Sequence, residues 1–178
     1  MISYFYPQPQ KPDKMNDDNR FEKIKSFMLS YIPFKLYLIK NLPMGFLAGM
    51  RVRDLSEKGA TVTIPYKYLT KNPFRSMYFA CLAMAAEMSS GAIGMSMVYK
   101  ADPKVSMLVR NLEGEFTKKA IGLITFRCDD GAAIRQTIDD SIATGEGKTI
   151  VAKSIGTDET GDVVAEFKVT WSFKVKSS

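Results

Sequence analysis

A carboxylate at position 87 is the group in this sequence whose setting most suggests chemistry. Between Arg75 and Lys100 run twenty-four residues, SMYFACLAMAAEMSSGAIGMSMVY, and Glu87 is the one side chain among them that would carry a charge at neutral pH. Burial disfavours an ionised acid, so Glu87 either meets a cation or titrates high. Titrating near neutrality it would be a general base; paired with an Arg or Lys it would be structural, and the residues leave both open. The absence of histidine removes Ser-His-Asp and Cys-His machinery, HExxH zinc sites and imidazole bases. Cys81 and Cys128 have neither metal-ligand nor disulfide-framework spacing and read as small hydrophobes. Catalysis would therefore use carboxylates, hydroxyls, amides, lysine or backbone dipoles, and no metal or cofactor is implied. The net charge of +6 would suit a phosphate-bearing partner, but the cations are scattered and no nucleic-acid-binding motif accompanies them.

The element that must hold Glu87 is helical by periodicity. At 100° per residue, Met77, Met84, Met88 and Met95 share one stripe, while Ser76, Ala80, Ala83, Glu87, Ser90 and Gly94 share another. The expectation is a helix from about Ser76 to Met97, its bulky stripe under a sheet and its small stripe open to another main chain or a slender ligand. A transmembrane span fits the length, but Ala, Ser, Gly and Met with a central charge suit a buried soluble helix better.

Around this helix the chain alternates between periods. Residues 1–20, Pro- and Gln-bearing and then polar, are expected to be a flexible segment, and 21–178 to form a single domain. Apolar residues at Phe21, Ile24, Phe27, Met28, Tyr31 and Ile32 predict a helix broken at Pro33 and continued by a second, irregular one. Such a basic amphipathic stretch can lie on a membrane surface, but packing on the domain's own sheet is its commoner use. Period-two alternation at Met50 and Val52, then at Ala60, Val62, Ile64 and Tyr66 beyond the turn SEKG, predicts a hairpin. Asn72 before Pro73 marks the loop into the long helix. VSMLVRNLEGEF and AIGLITFRC read as strands; Ile134, Ile138 and Ile142 give a short helix ending near Gly145; KTIVAKSIGT is a further strand. Val163, Ala165, Phe167, Val169, Trp171, Phe173 and Val175 alternate with Val164 and polar residues in the clearest strand of all. The sum is α+β: an antiparallel sheet of about six strands wrapped around one long helix, preceded by helical segments. A helix apolar nearly all round also needs cover on its outer side, which a second copy would supply. The N-terminus has no basic region followed by an apolar run and cleavage site, so the expected location is the cytosol.

From about Leu42 to Val175 the chain resembles the hotdog-fold acyl-CoA thioesterases related to those of phenylacetic-acid degradation. The resemblance rests on LPMGFLAGMRVRDLSEKGATVTIPY, NPFRSMYFACLAMAAE and GKTIVAKSIGTDETGDVVAEFKVTWSFKV. In that group a loop Asn, a His-Gly-Gly at the helix start and an acid nine residues after the His form the site. The resemblance maps the Asn onto Asn72 and the acid onto Glu87, while Tyr78, Phe79 and Ala80 replace His-Gly-Gly. A hydroxyl near the next strand, contributed across subunits, maps onto Ser106, or onto Val109 if the alignment runs ungapped through Phe116. The resemblance thus implies a homodimer, possibly a tetramer, hydrolysing an acyl-CoA or related thioester. Glu87 would act as base or nucleophile, Asn72 would orient loop or water, and Tyr78, Phe79, Ala80, Ser90 and Ser106 would face the ligand. The same residues also fit a module that binds an acyl or other apolar ligand without turnover, or an inert structural oligomer.

Overall fold

The computed structural model describes residues 14–176, with side chains from Asn19 onward, so residues 1–13 of the expected flexible segment lie outside the described part. Helices α1 (Lys14–Leu29), α2 (Tyr31–Asn41) and α3 (Pro43–Ala48) lead into strands β1 (Arg51–Leu55) and β2 (Ala60–Pro65). Helix α4 (Phe79–Val98) follows, then β3 (Val105–Phe116), β4 (Leu123–Cys128), α5 (Gly131–Thr144), β5 (Lys148–Thr157) and β6 (Val163–Val175). The six strands form one antiparallel sheet in the order β1-β2-β4-β5-β6-β3. The sheet curves around α4, giving the hotdog arrangement the sequence implied. The doubly apolar LITFRC stretch lies inside the sheet as β4, and the hairpin closes through Ser56 N–H donating to Gly59 O at 2.8 Å.

Four expectations shift, each for a physical reason. Helix α1 already includes residues 14–20, ahead of the apolar positions from Phe21 that predict it. The break between the first two helices falls at Ser30, and Pro33 sits within the first turn of α2, where its missing N–H costs nothing. Helix α4 begins at Phe79; the preceding residues are extended, with Met77 N–H donating to Ala120 O at 2.8 Å and Tyr78 N–H to Thr70 O at 2.7 Å. In β6, Val164 is buried and Val163 exposed, because the pairing with β5 slips by one residue beside Gly156. Helix α5 does end at Gly145, whose φ of 70° is the left-handed conformation that favours glycine.

The orientation of α4 reverses part of the expectation. The side toward the sheet carries Ala85, Ala86, Ser89, Ala92 and Ile93, all 0% exposed, so the helix axis can lie close to the strands. Ser89 and Ser154 of β5 share a buried hydrogen bond of 2.7 Å there. The methionine stripe instead faces the N-terminal helices: Met95 lies beside Ile24, Phe27 and Met28, and Met84 and Met88 beside Met44 and Gly45. Helices α1 and α5 supply much of the cover of α4 beyond the sheet, with α3 adding a smaller share. By length and composition α4 could span a bilayer, but the sheet and the N-terminal helices enclose most of it, as expected of a core helix.

Candidate functional site

Cavities flank α4 at its start, its middle and its end, the last walled by Met95, Tyr99 and the N-terminal helices; those at the start and the middle hold Asn72 and Glu87. The stripe of small residues splits accordingly. Ser90 and Gly94 are filled over: Trp171 Nε1 donates to Ser90 Oγ at 2.9 Å, and a β-carbon on Gly94 would meet Met107 Cε at 2.8 Å and the Phe173 ring at 3.2 Å. Ala80, Ala83 and Glu87, toward the N-terminal half, stay half-open.

Glu87 lines a cavity of about 180 Å³ whose other walls are Asn41, Leu42, Pro43, Gly45 and the methionines Met44, Met50, Met84 and Met88. Helix α3 builds that wall: Pro43 fits its first position, and Gly49, at φ 78°, turns the chain so that Met50 N–H reaches Gly45 O at 3.0 Å. Among the described residues no cation pairs with the Glu87 carboxylate, and no side chain or amide donates to it. Among the described residues Glu87 thus lacks the Arg or Lys partner that a structural ion pair would use. Burial among apolar groups pushes the carboxyl above the ordinary carboxylate range, which keeps a proton-accepting group closer to neutral pH. Burial likewise raises both thiols, that of Cys128 to about 11, so neither cysteine is poised as a nucleophile.

The second cavity, about 520 Å³, lies at the start of α4 and is lined by Asn72, Tyr78, Phe79, Leu82, Phe116 and Lys118, among others. Asn72 is fully engaged in its own loop. Its Oδ1 accepts from Phe74 N–H at 2.9 Å and Ser76 N–H at 3.2 Å, and its Nδ2 donates to Ser76 Oγ at 3.0 Å and Met77 O at 3.2 Å. The Tyr78 and Phe79 rings lie 4.8 Å apart, with Phe116 6.5 Å from Phe79, so an aromatic cluster stands at the helix entrance. The amides of Phe79 and Ala80 have no acceptor among the described residues, leaving two donors at the positive end of a 20-residue helix. Lys118 is held at 2.7 Å by both Asp158 and Asp162.

The structure thus brings Asn72, Tyr78 and Phe79 together, with Ala80 adjoining, and sets Glu87 apart in the other cavity, about 12 Å further along the helix at 1.5 Å per residue. Ser90 lies under Trp171. Ser106, on β3, donates to Lys174 O at 2.8 Å and lines neither cavity; Val109 sits beside a bulge on the same strand. Reasoning from sequence missed α3 as the lid over Glu87, although Pro43 and Gly49 bracket it with ordinary start and stop residues.

Residues 34–173 match the model of a domain of unknown function, DUF4442. The chain belongs to the DUF4442 family. No protein of curated function matches it. Among solved structures it is similar to PA5026 of Pseudomonas aeruginosa, a protein of unknown function, with a TM-score of 0.70 and 22% identity over 84% of this chain and 99% of that one. Thioesterase HI1161 of Haemophilus influenzae aligns with a TM-score of 0.59 at 12% identity, over 85% and 96% of the two chains. The Escherichia coli PaaI protein of the phenylacetic acid degradation operon gives 0.57 at 12% identity, over 80% and 91%. The DUF4442 chain therefore has the fold of hotdog thioesterases at low sequence identity.

Proposed function

We propose that this DUF4442 protein is a cytosolic thioester hydrolase acting on acyl-CoA or a related thioester in a cleft between two copies of the chain. One observation carries the reading: Glu87 is a carboxylate with no partner among the described residues, on a helix otherwise free of charge, beside a cavity and with its affinity for protons raised by burial. In the reaction Glu87 takes a proton from water as the oxygen attacks the thioester carbonyl. The carbonyl oxygen becomes an oxyanion, for which the free amides of Phe79 and Ala80 are suited donors. Collapse breaks the C–S bond, and Glu87 returns its proton to the leaving thiolate, giving a carboxylic acid and a free thiol. Asn72 holds the loop that fixes the start of α4, a positioning role consistent with the five hydrogen bonds of its side chain.

Acid and amides lie too far apart on one helix to share a carbonyl. Two antiparallel copies of α4 meeting along Ala80 and Ala83 would set the acid of one against the amides of the other. The free edge of β3, with Leu108 66% and Leu112 41% exposed, gives such a pair a further surface to join. Release of free coenzyme A from a panel of acyl-CoAs, lost in Glu87→Gln, is the expected result. No release from any acyl chain length would overturn the hydrolase reading.

A second reading, capture of an acyl or other apolar ligand without turnover, is favoured by Tyr78 and Phe79, whose rings occupy the approach that a thioester carbonyl would take to the amides. Co-purification of an acyl ligand with a protein that releases no thiol would select it.

A further inference from the structure

The stretch from Leu29 to Arg53 contains Lys35, Lys40, Arg51 and Arg53 and no acidic residue. The fold gathers three of these cations with Lys67 around a cavity of about 410 Å³ between α2 and β1. None of Lys35, Arg51, Arg53 and Lys67 pairs with a carboxylate among the described residues. Their neighbours are aromatic or neutral instead: Arg51 lies 4.5 Å over the Tyr31 ring, Lys35 5.4 Å from the same ring and 5.6 Å from that of Phe46, and Arg53 Nε donates to Thr63 Oγ1 at 3.0 Å. What sets these four apart is that they line one cavity together.

Helices α2 and α3, which contribute Tyr31, Phe34, Lys35, Leu38 and Phe46 to the cavity wall, also carry exposed apolar side chains. The inner face of α2 buries Phe34 and Leu38, while its outer face presents Ile32 at 66% exposure, Leu36 at 62% and Ile39 at 46%, spaced as one helical stripe. Helix α3 continues the display with Met44 at 63% and Leu47 at 45%. Transfer of such side chains from water into an acyl layer is favourable. A second copy is a poor cover, because a two-fold interface would lay this patch on itself and drive eight unneutralised cations together. What complements both halves of the surface at once is an anionic layer with an apolar interior.

We infer that the α2–α3 face docks the protein peripherally on an anionic phospholipid bilayer. Ile32, Leu36, Ile39, Met44 and Leu47 enter the headgroup–acyl boundary, and the cavity ringed by Lys35, Arg51, Arg53 and Lys67 receives a lipid phosphate. This inference is independent of Glu87 and of any turnover.

The test is co-sedimentation of the full chain with phosphatidylcholine vesicles that contain or lack phosphatidylglycerol. Binding is expected with the anionic vesicles alone and should weaken as salt is raised. Lys35→Ala and Lys67→Ala should each lower the partition constant about five-fold. Ile32→Glu with Leu36→Glu should abolish binding, and because both positions are exposed, melting should match the wild type. Equal binding to neutral vesicles, or none to either, overturns the inference. It is also overturned if the double glutamate variant still sediments while inorganic phosphate displaces it, which would mark a site for soluble phosphates. A fall in solution mass of that variant without any vesicle binding by the wild type would make the face a contact between copies.

Discussion

Replacing Glu87 by Gln separates chemistry from architecture, because the structure predicts opposite signs for the two. If Glu87 is the general base, its loss should lower kcat by about 10²–10⁴. The stability effect follows from what surrounds the carboxylate. Breaking a buried ion pair typically costs about 3–5 kcal/mol, which for a chain of this length is roughly a 6–20 °C fall in Tm. Among the described residues no cation faces Glu87, so no such loss is expected. The amide keeps the volume and removes a charge that burial penalises. Since the folded carboxyl is shifted upward, protons bind the folded state more tightly than the unfolded one, and wild-type stability falls as pH rises through the folded pKa. The Gln variant lacks that loss. Its Tm should equal the wild type's near pH 4 and exceed it progressively above. Thermal melts across pH, with thiol release measured on the same samples, provide the assay. A variant that melts far below wild type at every pH would reveal a cation partner and refute the argument; one that keeps full turnover would refute the base.

Other outcomes follow from the same geometry. Ala80→Pro removes a first-turn amide while leaving a residue that the first helical turn accepts, and should lower kcat about 10²–10³-fold with little change in melting. Co-expressing Ala80→Pro with Glu87→Gln should restore about a quarter of wild-type activity if each site uses both copies, and none if it lies within one chain. Leu108→Asp with Leu112→Asp on the β3 edge should give a monomer mass by light scattering and remove activity with it. Trp171→Phe deletes the donor to Ser90 and should lower stability by about 1–3 kcal/mol, read as a lower Tm.

How far the sequence reveals this arrangement depends on which property each pattern encodes. Alternation at Phe167, Val169, Trp171 and Phe173 reports two faces of a strand directly, and β6 buries those four residues. The uncharged run before Phe79 reports burial, not helicity, so Ser76 to Tyr78 read as helix although Met77 is pinned in extended pairing with Lys71. Periodicity separates the methionine stripe from the small stripe but carries no information about which neighbour each one meets. Packing decided that: a tightly curved sheet admits a helix only over small residues, so the alanines and Ser89 took the sheet side. Glu87 is legible because an acid in an apolar run is costly. The cluster of Lys35, Arg51, Arg53 and Lys67 is not, since those residues become neighbours only after α2 folds over β1.

The four methionines around Glu87 bear on selectivity. Met44, Met50, Met84 and Met88 have unbranched, freely rotating side chains with polarizable sulfur, and such a wall can reshape around whatever enters. The acid is carried by a helix fixed tightly to the sheet, while the surface opposite it yields. A pocket of that kind discriminates poorly among apolar groups by shape, for it has few rigid edges with which to reject one. Evolution of a narrower preference would therefore be expected to begin by exchanging these methionines for branched or aromatic residues, leaving the charged centre untouched.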